Sequence, residues 1–310
     1  MEERFEDVTI GISTFMRPSK LDNALEAIEA LDTVPEEVII ADDSIKKSRN
    51  RKICSSYTEK MDARYISMEP DEGVSASRNR IVEEASTEFL MLLDDDQYLR
   101  KEVIPFLREI LESDGSLAGV APSWIENGNK ITDARNLSRE GEWIVADVAG
   151  EPSVREVEGK TYFLYDFIAT SALYRTEALR DIGWDENYTI GGEHLDFFLA
   201  YKMKTSWSFA ATEEVVLEHD PGRGKFFRYM SHRRNPEKLS RSRNYFREKW
   251  GVRGFLFREK HCESYERRLS QVLTQVFYSL PNVFHWHLKK SSTFEVLKKR
   301  YSNLTGEEFR

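Results

Sequence analysis

Short apolar runs alternate with amphipathic segments over the first hundred positions of the chain. The apolar runs are VTIGIS, EVIIA, ARYISM and FLMLL. Between the first two runs, apolar side chains recur three or four positions apart at Leu21, Leu25, Ile28 and Leu31, which predicts an amphipathic helix. Strands that alternate with helices are typical of a parallel sheet with crossover helices. The pattern therefore predicts an α/β fold with a mostly parallel central sheet flanked by helices.

Two of these strands end on acidic clusters. FLMLL runs directly into Asp94, Asp95 and Asp96, and EVIIA runs into Asp42 and Asp43. Adjacent carboxylates repel one another, and burial raises that cost unless a cation or hydrogen-bond donors offset it. Ligands of open α/β sheets bind at the carboxyl ends of strands, where oxygen-rich sites suit Mg²⁺ or Mn²⁺ bridging to phosphates. The alternative is that each cluster only caps the following helix.

A basic residue, Arg78, lies in the predicted helix GVSASRNRIVEEAS between the two acidic strand ends. Its guanidinium can bind a phosphate group of a ligand, or it can neutralise the neighbouring acids structurally. We favour the ligand role, because the carboxyl ends of strands in one sheet share a crevice.

Composition and charge limit the classes of protein to which the chain can belong. A chain of 310 residues with 40% hydrophobic residues can bury a sizeable core, and a net charge of −9 argues against a general nucleic-acid binder. Cys54 and Cys262 form neither a disulfide framework nor a zinc pattern, which fits a cytoplasmic setting. The acidic start MEERFEDVTI does not resemble a secretory signal, and no apolar run is long enough to cross a membrane.

The succession VTIGISTFMRPSKL, VIIADDS and GVSASRNRIVEEASTEFLMLLDDD resembles the nucleotide-sugar-binding half of glycosyltransferase family 2 and related enzymes of the GT-A fold. Downstream, IGWDENYTIGGEHLDFFLAYK and VVLEHD resemble the acceptor half of that fold. The resemblance implies a glycosyltransferase domain over 1–244, divided into a nucleotide-sugar-binding half, 1–112, and an acceptor half, 113–244. Residues 245–310 lie outside the resemblance and are predicted to form a helical C-terminal extension.

The resemblance also implies which residues contact the donor. The nucleotide would contact Ser13, Thr14 and Arg17 after the first strand, while Asp42 or Asp43 would accept from the uracil or ribose. Arg78 would lie near the base or the diphosphate.

The metal site is implied by the same resemblance. Asp94 and Asp96 match the outer carboxylates of the DXD motif, which holds Mn²⁺ or Mg²⁺ against the donor phosphates, and Asp95 lies between them. His219, at the end of VVLEHD, resembles the third metal ligand of many GT-A enzymes. A structural histidine is the alternative at that position.

Transfer to a hydroxyl group needs a general base, and the candidates lie in GGEHLDFF. Carboxylates are stabilised at a helix N-terminus, and the preceding glycines let a substrate approach closely. Family 2 enzymes commonly carry Glu-Asp here, the second acid serving as base, whereas this chain has Glu193 and His194, as in enzymes that transfer N-acetylgalactosamine in β-1,4 linkage. We take Glu193 as the first candidate base, His194 as the second, and Asp196 as an orienting group or acceptor contact. The alternative is an acidic helix cap above packed aromatic residues.

A basic stretch follows, GRGKFFRYMSHRRNPEKLSRSRNYFREKW. It is compatible with a loop whose Arg223 and Lys225 close over the diphosphate, a face for anionic lipids, a nucleic-acid patch, or a solvated helix face. Among the functional alternatives we favour the diphosphate loop, and we expect no nucleic-acid partner.

The last part of the chain carries apolar residues at helical spacing between Leu269 and Leu280, followed by PNVFHWHLKK. The second segment has a composition that is also found in helices at a bilayer interface. Peripheral attachment to the cytoplasmic membrane face is therefore expected if the acceptor is lipid-linked.

Together these features predict a metal-dependent, inverting glycosyltransferase that moves a hexose or N-acetylhexosamine from a UDP-sugar to a glycan or lipid-linked saccharide. A metal-dependent nucleotidyl or phosphoryl transferase would use the same carboxylates but attack phosphorus, and would release a different nucleotide. A non-catalytic glycan or nucleic-acid binding module with a degenerate site would keep its function when Asp94 and Asp96 are replaced by Asn.

Overall fold

Two β-sheets, of eleven and three strands, form the framework of the described chain, which in this computed structural model comprises residues 4–148, 152–222, 227–233 and 235–258. The strands are β1 (Arg4–Thr14), β2 (Val34–Asp42), β3 (Ala63–Ser67), β4 (Phe89–Asp94), β5 (Gln97–Tyr98), β6 (Leu117–Glu126), β7 (Asn129–Ile131), β8 (Asn136–Glu140), β9 (Trp143–Asp147), β10 (Ser153–Val157), β11 (Lys160–Tyr165), β12 (Leu173–Arg175), β13 (Ser208–His219) and β14 (Gly254–Arg258). The helices are α1 (Pro18–Glu29), α2 (Ser48–Ser55), α3 (Thr58–Met61), α4 (Val74–Glu84), α5 (Val103–Ser113), α6 (Thr176–Ile182), α7 (Glu193–Lys204), α8 (Phe227–Arg233) and α9 (Pro236–Trp250).

The large sheet has the strand order β10-β11-β13-β6-β12-β4-β1-β2-β3, with β5 paired to β13 and β7 to β6. Strands β4, β1, β2 and β3 are parallel neighbours, as are β13 and β6. Strand β12 runs antiparallel to both β4 and β6, and β11 runs antiparallel to β10 and β13. The predicted α/β class is therefore confirmed, with the parallel part of the sheet in the amino-terminal half.

Strand β4 is apolar at every position up to Asp94 because both of its faces are covered. Leu90 and Leu92 pack into one core, which also contains Ile81 of α4. Met91 and Leu93 pack into the core on the other face, which contains the apolar positions of α1. Burial of each such side chain stabilises the fold by roughly 1.5–3 kcal/mol. The predicted strands and the predicted helices α1 and α4 are confirmed.

The carboxyl ends of the parallel strands lie side by side. Ser13 of β1 pairs with Asp94 of β4, and Thr14 pairs with Asp42 of β2. The two acidic clusters of the sequence therefore meet at one edge of the sheet, as predicted.

Helix α7 begins at Glu193, directly after Gly191 and Gly192, whose φ angles of 84° and 96° let the chain turn into the helix. The face that carries Phe197 is buried, and Trp184 stacks on Phe197 with ring centroids 4.1 Å apart. This packing fixes the helix, and thereby the direction in which its first residue points.

Helix α9 is capped by the Asn235 side chain, which accepts from the backbone N–H groups of Glu237 and Lys238. It continues through residue 244, and β14 after it belongs to the β14-β9-β8 sheet. Residues up to Phe257 therefore form one unit with the amino-terminal half. Of the predicted helical extension, residues 245–258 are described, as the end of α9 and as β14, whereas residues 259–310, with the amphipathic segment between Leu269 and Leu280, lie outside the described residues. Within the described part of the chain, no helix is long and apolar enough to span a bilayer.

Candidate active site

A cleft of about 730 Å³ opens where β1, β2 and β4 end. Eight of the residues that the sequence singled out line it: Ser13, Thr14, Arg17, Asp43, Arg78, Asp94, Glu193 and His194. Residues from strands and helices far apart in the chain thus converge on one cavity.

Arg78 joins three walls of this cleft. Its guanidinium donates to His194 Nε2 at 2.9 Å, to Asp94 Oδ1 at 3.0 Å and to Thr170 Oγ1 at 3.2 Å. The residue is 2% exposed. A buried guanidinium presents its donors in a rigid fork, so Arg78 fixes α7 relative to the end of β4.

The charge state of Asp94 follows from this contact. Burial acts to raise the pKa of Asp94, but the positive charges of Arg78, Arg17 and Arg233 outweigh it and lower the pKa below its ordinary value. Asp94 is therefore an ionised carboxylate on the cleft wall at neutral pH.

His194 is held as a neutral imidazole. Burial, reinforced by the neighbouring Arg78, lowers the pKa of His194. Because an Arg78 N–H group points at Nε2, that nitrogen accepts a hydrogen bond and the ring proton resides on Nδ1. The Nε2 lone pair is thus already engaged, which leaves His194 better suited to donate a hydrogen bond than to accept a proton.

Glu193 is the carboxylate that faces the cleft from α7. The residue is 9% exposed, and its Oε2 finds no hydrogen-bond donor among the described residues. It is the first residue of a 12-residue helix. A buried carboxylate oxygen without a donor is costly unless a substrate supplies one.

Asp42 and Asp43 are neighbours with different surroundings. Asp42 is fully buried, and its two oxygens accept from the Ser44 N–H, from Asn50 Nδ2 and from the Tyr65 hydroxyl. Asp43 lines the cleft and accepts from the Gly73 N–H at 2.9 Å. Burial raises the pKa of Asp43 to about 6. Of the two candidates, Asp43 is the one that can contact a ligand.

Gly73 holds the cleft wall beside Asp43. Its φ is +105°, and a Cβ at this position would lie 2.5 Å from the Thr189 carbonyl oxygen. We expect Gly73→Ala to lower the free energy of unfolding by about 1–3 kcal/mol, since it combines an unfavourable φ with a backbone clash. Chemical denaturation measures this loss. Gly128→Ala is the matched control, because Gly128 also has positive φ but no atom within 4 Å of the added Cβ.

Arg17 lies beneath the cleft between two members of the acidic triplet. Its guanidinium pairs with Asp95 and Asp96, and Thr14 Oγ1 donates to Asp95 Oδ2 at 2.7 Å. Its Cζ lies 4.3 Å from the centre of the Tyr229 ring. Burial acts to lower the pKa of Arg17, but the two carboxylates raise it overall, so the guanidinium stays charged. Arg17 is therefore an internal counter-ion, and it leaves Asp95 buried without access to the cleft.

Two of the three predicted metal ligands approach each other. His219 Nε2 lies 3.8 Å from Asp96 Oδ2, and Nδ1 lies 2.9 Å from Glu126 Oε2. In metal sites, a carboxylate commonly accepts a hydrogen bond from the histidine ring nitrogen that does not bind the metal, and this contact orients the ring. Asp94 instead binds Arg78, and the described residues hold no group of three acidic, histidine or cysteine side chains placed to bind a metal. The three predicted ligands are thus not assembled into one cluster.

The donor types of Asp96 and His219 suit a divalent ion of the hard class, but the Asp96 Oδ2 that faces His219 also pairs with Arg17, and neither residue is among those that line the cleft. Mg²⁺ sites of phosphate-transferring enzymes take one or two protein carboxylates and complete their shell with substrate phosphates and water. Mn²⁺ also accepts oxygen ligands, and an imidazole can join them.

Asp196 lies behind the cleft and does not line it. The residue is 1% exposed and accepts from the Tyr188 hydroxyl at 3.0 Å, from Trp250 Nε1 at 2.7 Å and from Lys249 Nζ at 2.7 Å. These contacts tie α7 to α9. Asp196 therefore helps to hold the first turn of α7, which carries Glu193, in place, and it is not among the residues that line the cleft.

Sequence reasoning did not single out several cleft residues. Tyr229, His232 and Arg233 of α8 and Lys238 of α9 cover the cleft, and Asp71 pairs with Lys238 and lies 3.4 Å from His232 Nδ1. The three α8 residues follow helical spacing, a signal that the basic stretch contains. Arg223 and Lys225 lie outside the described residues.

Comparisons with known proteins agree with this architecture. The family model described as glycosyl transferase family 2 matches residues 9–183. The structure of S. aureus TarS 1–349 in complex with UDP-GlcNAc has a TM-score of 0.56 and 15% identity, with 93% of this chain and 77% of that chain covered. The complex of the same fragment with UDP has a TM-score of 0.51 and 14% identity, with 79% and 72% covered.

Coverage is lower in two further TarS structures. The chain spans 60% of the TarS 1–349 structure, with a TM-score of 0.51 and 16% identity, and 36% of the longer TarS structure. These identities show a shared fold, the GT-A fold. Among curated proteins, none matches the chain by sequence.

Proposed function

The chain belongs to glycosyltransferase family 2, and we propose that it transfers a sugar, with inversion, from a UDP-sugar to a hydroxyl group of a glycan or lipid-linked saccharide. The observation that carries the proposal is the buried carboxylate of Glu193: the residue lines a cation-rich cleft, and its Oε2 has no donor among the described residues. An acceptor hydroxyl would supply that donor.

The donor fits the cleft by charge. Arg17, Arg78, Arg233 and Lys238 line it, and a bound diphosphate would share these cations with the side chains that they contact in the structure. Asp43 offers an acceptor for a ribose hydroxyl or the uracil N–H. That TarS structures contain UDP and UDP-GlcNAc supports uridine as the nucleotide.

Glu193 would act as the general base. Its carboxylate would take the acceptor hydroxyl proton while the acceptor oxygen bonds to the anomeric carbon and the bond to the diphosphate oxygen breaks. His194 Nδ1–H would donate to a sugar oxygen and orient it, since Arg78 holds the ring. Attack from the face opposite the leaving group inverts the anomeric centre.

Asp96 and His219 would hold Mn²⁺ or Mg²⁺, with Glu126 orienting the imidazole. When bound, such an ion stabilises the departing diphosphate as a Lewis acid. Peripheral attachment to a membrane through the C-terminal residues remains part of the proposal for a lipid-linked acceptor.

A panel of UDP- and GDP-sugars tests this function. Thermal stabilisation and slow release of nucleoside diphosphate are measured with and without Mn²⁺. We expect one UDP-sugar to stabilise the protein and release UDP, with release falling by at least about tenfold in Asp96→Asn, because a lost metal interaction of about 1.4 kcal/mol has that effect. Release of UMP would indicate a phosphoryl or nucleotidyl transfer. Equal release with metal removed would contradict metal dependence.

Donor binding should depend on pH through Asp43. The pKa of Asp43 is about 6 in the free protein. Its carboxylate, which would accept a hydrogen bond from the nucleoside, is therefore ionised above that pH and progressively protonated below it. The Kd for a UDP-sugar should therefore be constant above pH 7 and rise below pH 6 by up to about tenfold per unit, the limit for one proton. Calorimetry with a UDP-sugar is preferable to UDP, whose terminal phosphate titrates in the same range. In Asp43→Asn the profile should be flat. An unchanged slope in that variant would contradict the assignment.

A further inference from the structure

A second cleft, of about 860 Å³, lies at the start of β13, the end of that strand opposite His219. Tyr165, Trp207 and Ser208 contribute to its wall, where β11 ends and β13 begins. Strand β13 has 12 residues and ends at His219, so 11 rises of roughly 3.3 Å each place its two ends at most about 36 Å apart. The catalytic proposal uses none of the residues in this second cleft.

Charge excludes an anionic ligand for this cleft. Lys202 is the only basic residue among the described residues that line it. Its Nζ already donates to Asp166 Oδ2 at 2.6 Å and to the Leu137 carbonyl at 2.7 Å. A phosphate group would therefore meet a neutralised lysine and the Asp166 carboxylate, which repels it.

The remaining lining has two kinds of group. Tyr165 and Trp207 are half-buried aromatic side chains, and the indole N–H donates to Asp181 Oδ2 at 2.7 Å, which fixes that ring. Around them lie half-buried or exposed polar side chains: the Tyr165 hydroxyl, the Asn136 amide, and the Ser206 and Ser208 hydroxyls. A lining of this composition suits neither a purely apolar ligand nor an ion.

We propose that this second cleft is a binding site for a neutral saccharide. Sugar rings present apolar C–H faces to aromatic side chains and hydroxyl groups to amide and hydroxyl partners, which is the combination that the cleft offers. The inference rests on the proposed function only in naming the ligand as part of a glycan acceptor. A long acceptor held here would raise its effective concentration at the catalytic cleft without adding a contact there.

Ser206 allows a clean test, because it lines the cleft and is exposed. Ser206→Tyr would place a bulky side chain in the cavity without disturbing the core. Ser55→Tyr, on the exposed face of α2, is the matched control. The full chain and both variants are titrated with neutral oligosaccharides of six residues (maltohexaose, cellohexaose and chitohexaose) and followed by saturation-transfer NMR and calorimetry.

We expect at least one hexasaccharide to bind the wild type and the Ser55→Tyr control. Ser206→Tyr should weaken that binding at least about tenfold, which corresponds to a loss of about 1.4 kcal/mol of binding free energy. Tyr165→Phe, which removes only a hydroxyl, should weaken it less. No binding by any of the three sugars, or equal binding by Ser206→Tyr and wild type, overturns the proposal.

The outcome separates from that of the proposed function. UDP-sugar stabilisation and UDP release are measured on the same samples and should be the same in Ser206→Tyr as in wild type. If the wild type showed neither stabilisation by a UDP-sugar nor UDP release, the result would count against the transferase function. Saccharide binding would then be judged by its own titration. Parallel loss of UDP release and saccharide binding in Ser206→Tyr would place the sugar in the catalytic cleft and overturn the second site.

Discussion

Replacing Glu193 with Gln is expected to lower kcat for sugar transfer by about 10²–10⁴-fold, the usual contribution of a general base. The amide keeps the shape of the side chain but cannot take the acceptor proton. Because the proposed role of Glu193 is contact with the acceptor hydroxyl, the affinity for UDP should not change. Single-turnover transfer and UDP titration measure the two quantities separately.

Two further variants make this prediction specific. Glu177→Gln on exposed α6 is the control for an amide replacement and should leave kcat unchanged. His194→Gln should reduce kcat less than Glu193→Gln, since Nε2 is engaged by Arg78 in the structure. If His194→Gln abolished transfer and Glu193→Gln retained it, the imidazole would be the base and our assignment would be wrong.

Arg17→Ala should be the most destabilising single change at the site. It removes the counter-ion of two buried carboxylates, Asp95 and Asp96, and breaking a buried ion pair from one side costs about 3–5 kcal/mol. For a domain of this size the Tm should fall by about 10 °C. Denaturant unfolding gives the free-energy change directly.

Arg80→Ala provides the matched control, because Arg80 pairs with Glu83 and Glu84 on the exposed face of α4. Its loss should cost at most about 1 kcal/mol. In the Arg17→Ala background, Asp95→Asn should restore part of the stability, since it removes one of the uncompensated charges. Additive losses in the double variant would mean that Arg17 and Asp95 are not coupled.

The amino-terminal half of the fold was predictable because its apolar pattern is regular. Strands covered on both faces are apolar throughout, as in FLMLL, and α1 repeats apolar positions at helical spacing. Helix α2 was not predicted, because its sequence SRNRKICS is mostly polar and buries only Asn50 and Cys54.

The candidate site was predictable in its location and less so in its individual contacts. Acidic residues at two strand ends indicated the ligand edge, and the glycine pair before Glu193 indicated a helix start. Which member of each acidic cluster faces the cleft was not readable, because successive side chains at a strand end point in different directions. Asp43 lines the cleft whereas Asp42 is enclosed, and the same holds for Asp94 and Asp95.

The sequence by itself determined the α/β class, the succession of the first four strands along the chain and the edge at which acidic residues gather. These features follow from local periodicity and residue type. Tertiary structure decided which cation meets which carboxylate. Arg78 contacts His194 across 116 positions, and Arg17 contacts Asp96 across 79. Such contacts depend on how α4, α7 and α8 pack against the sheet, and no local pattern encodes a distance between residues so far apart in the chain.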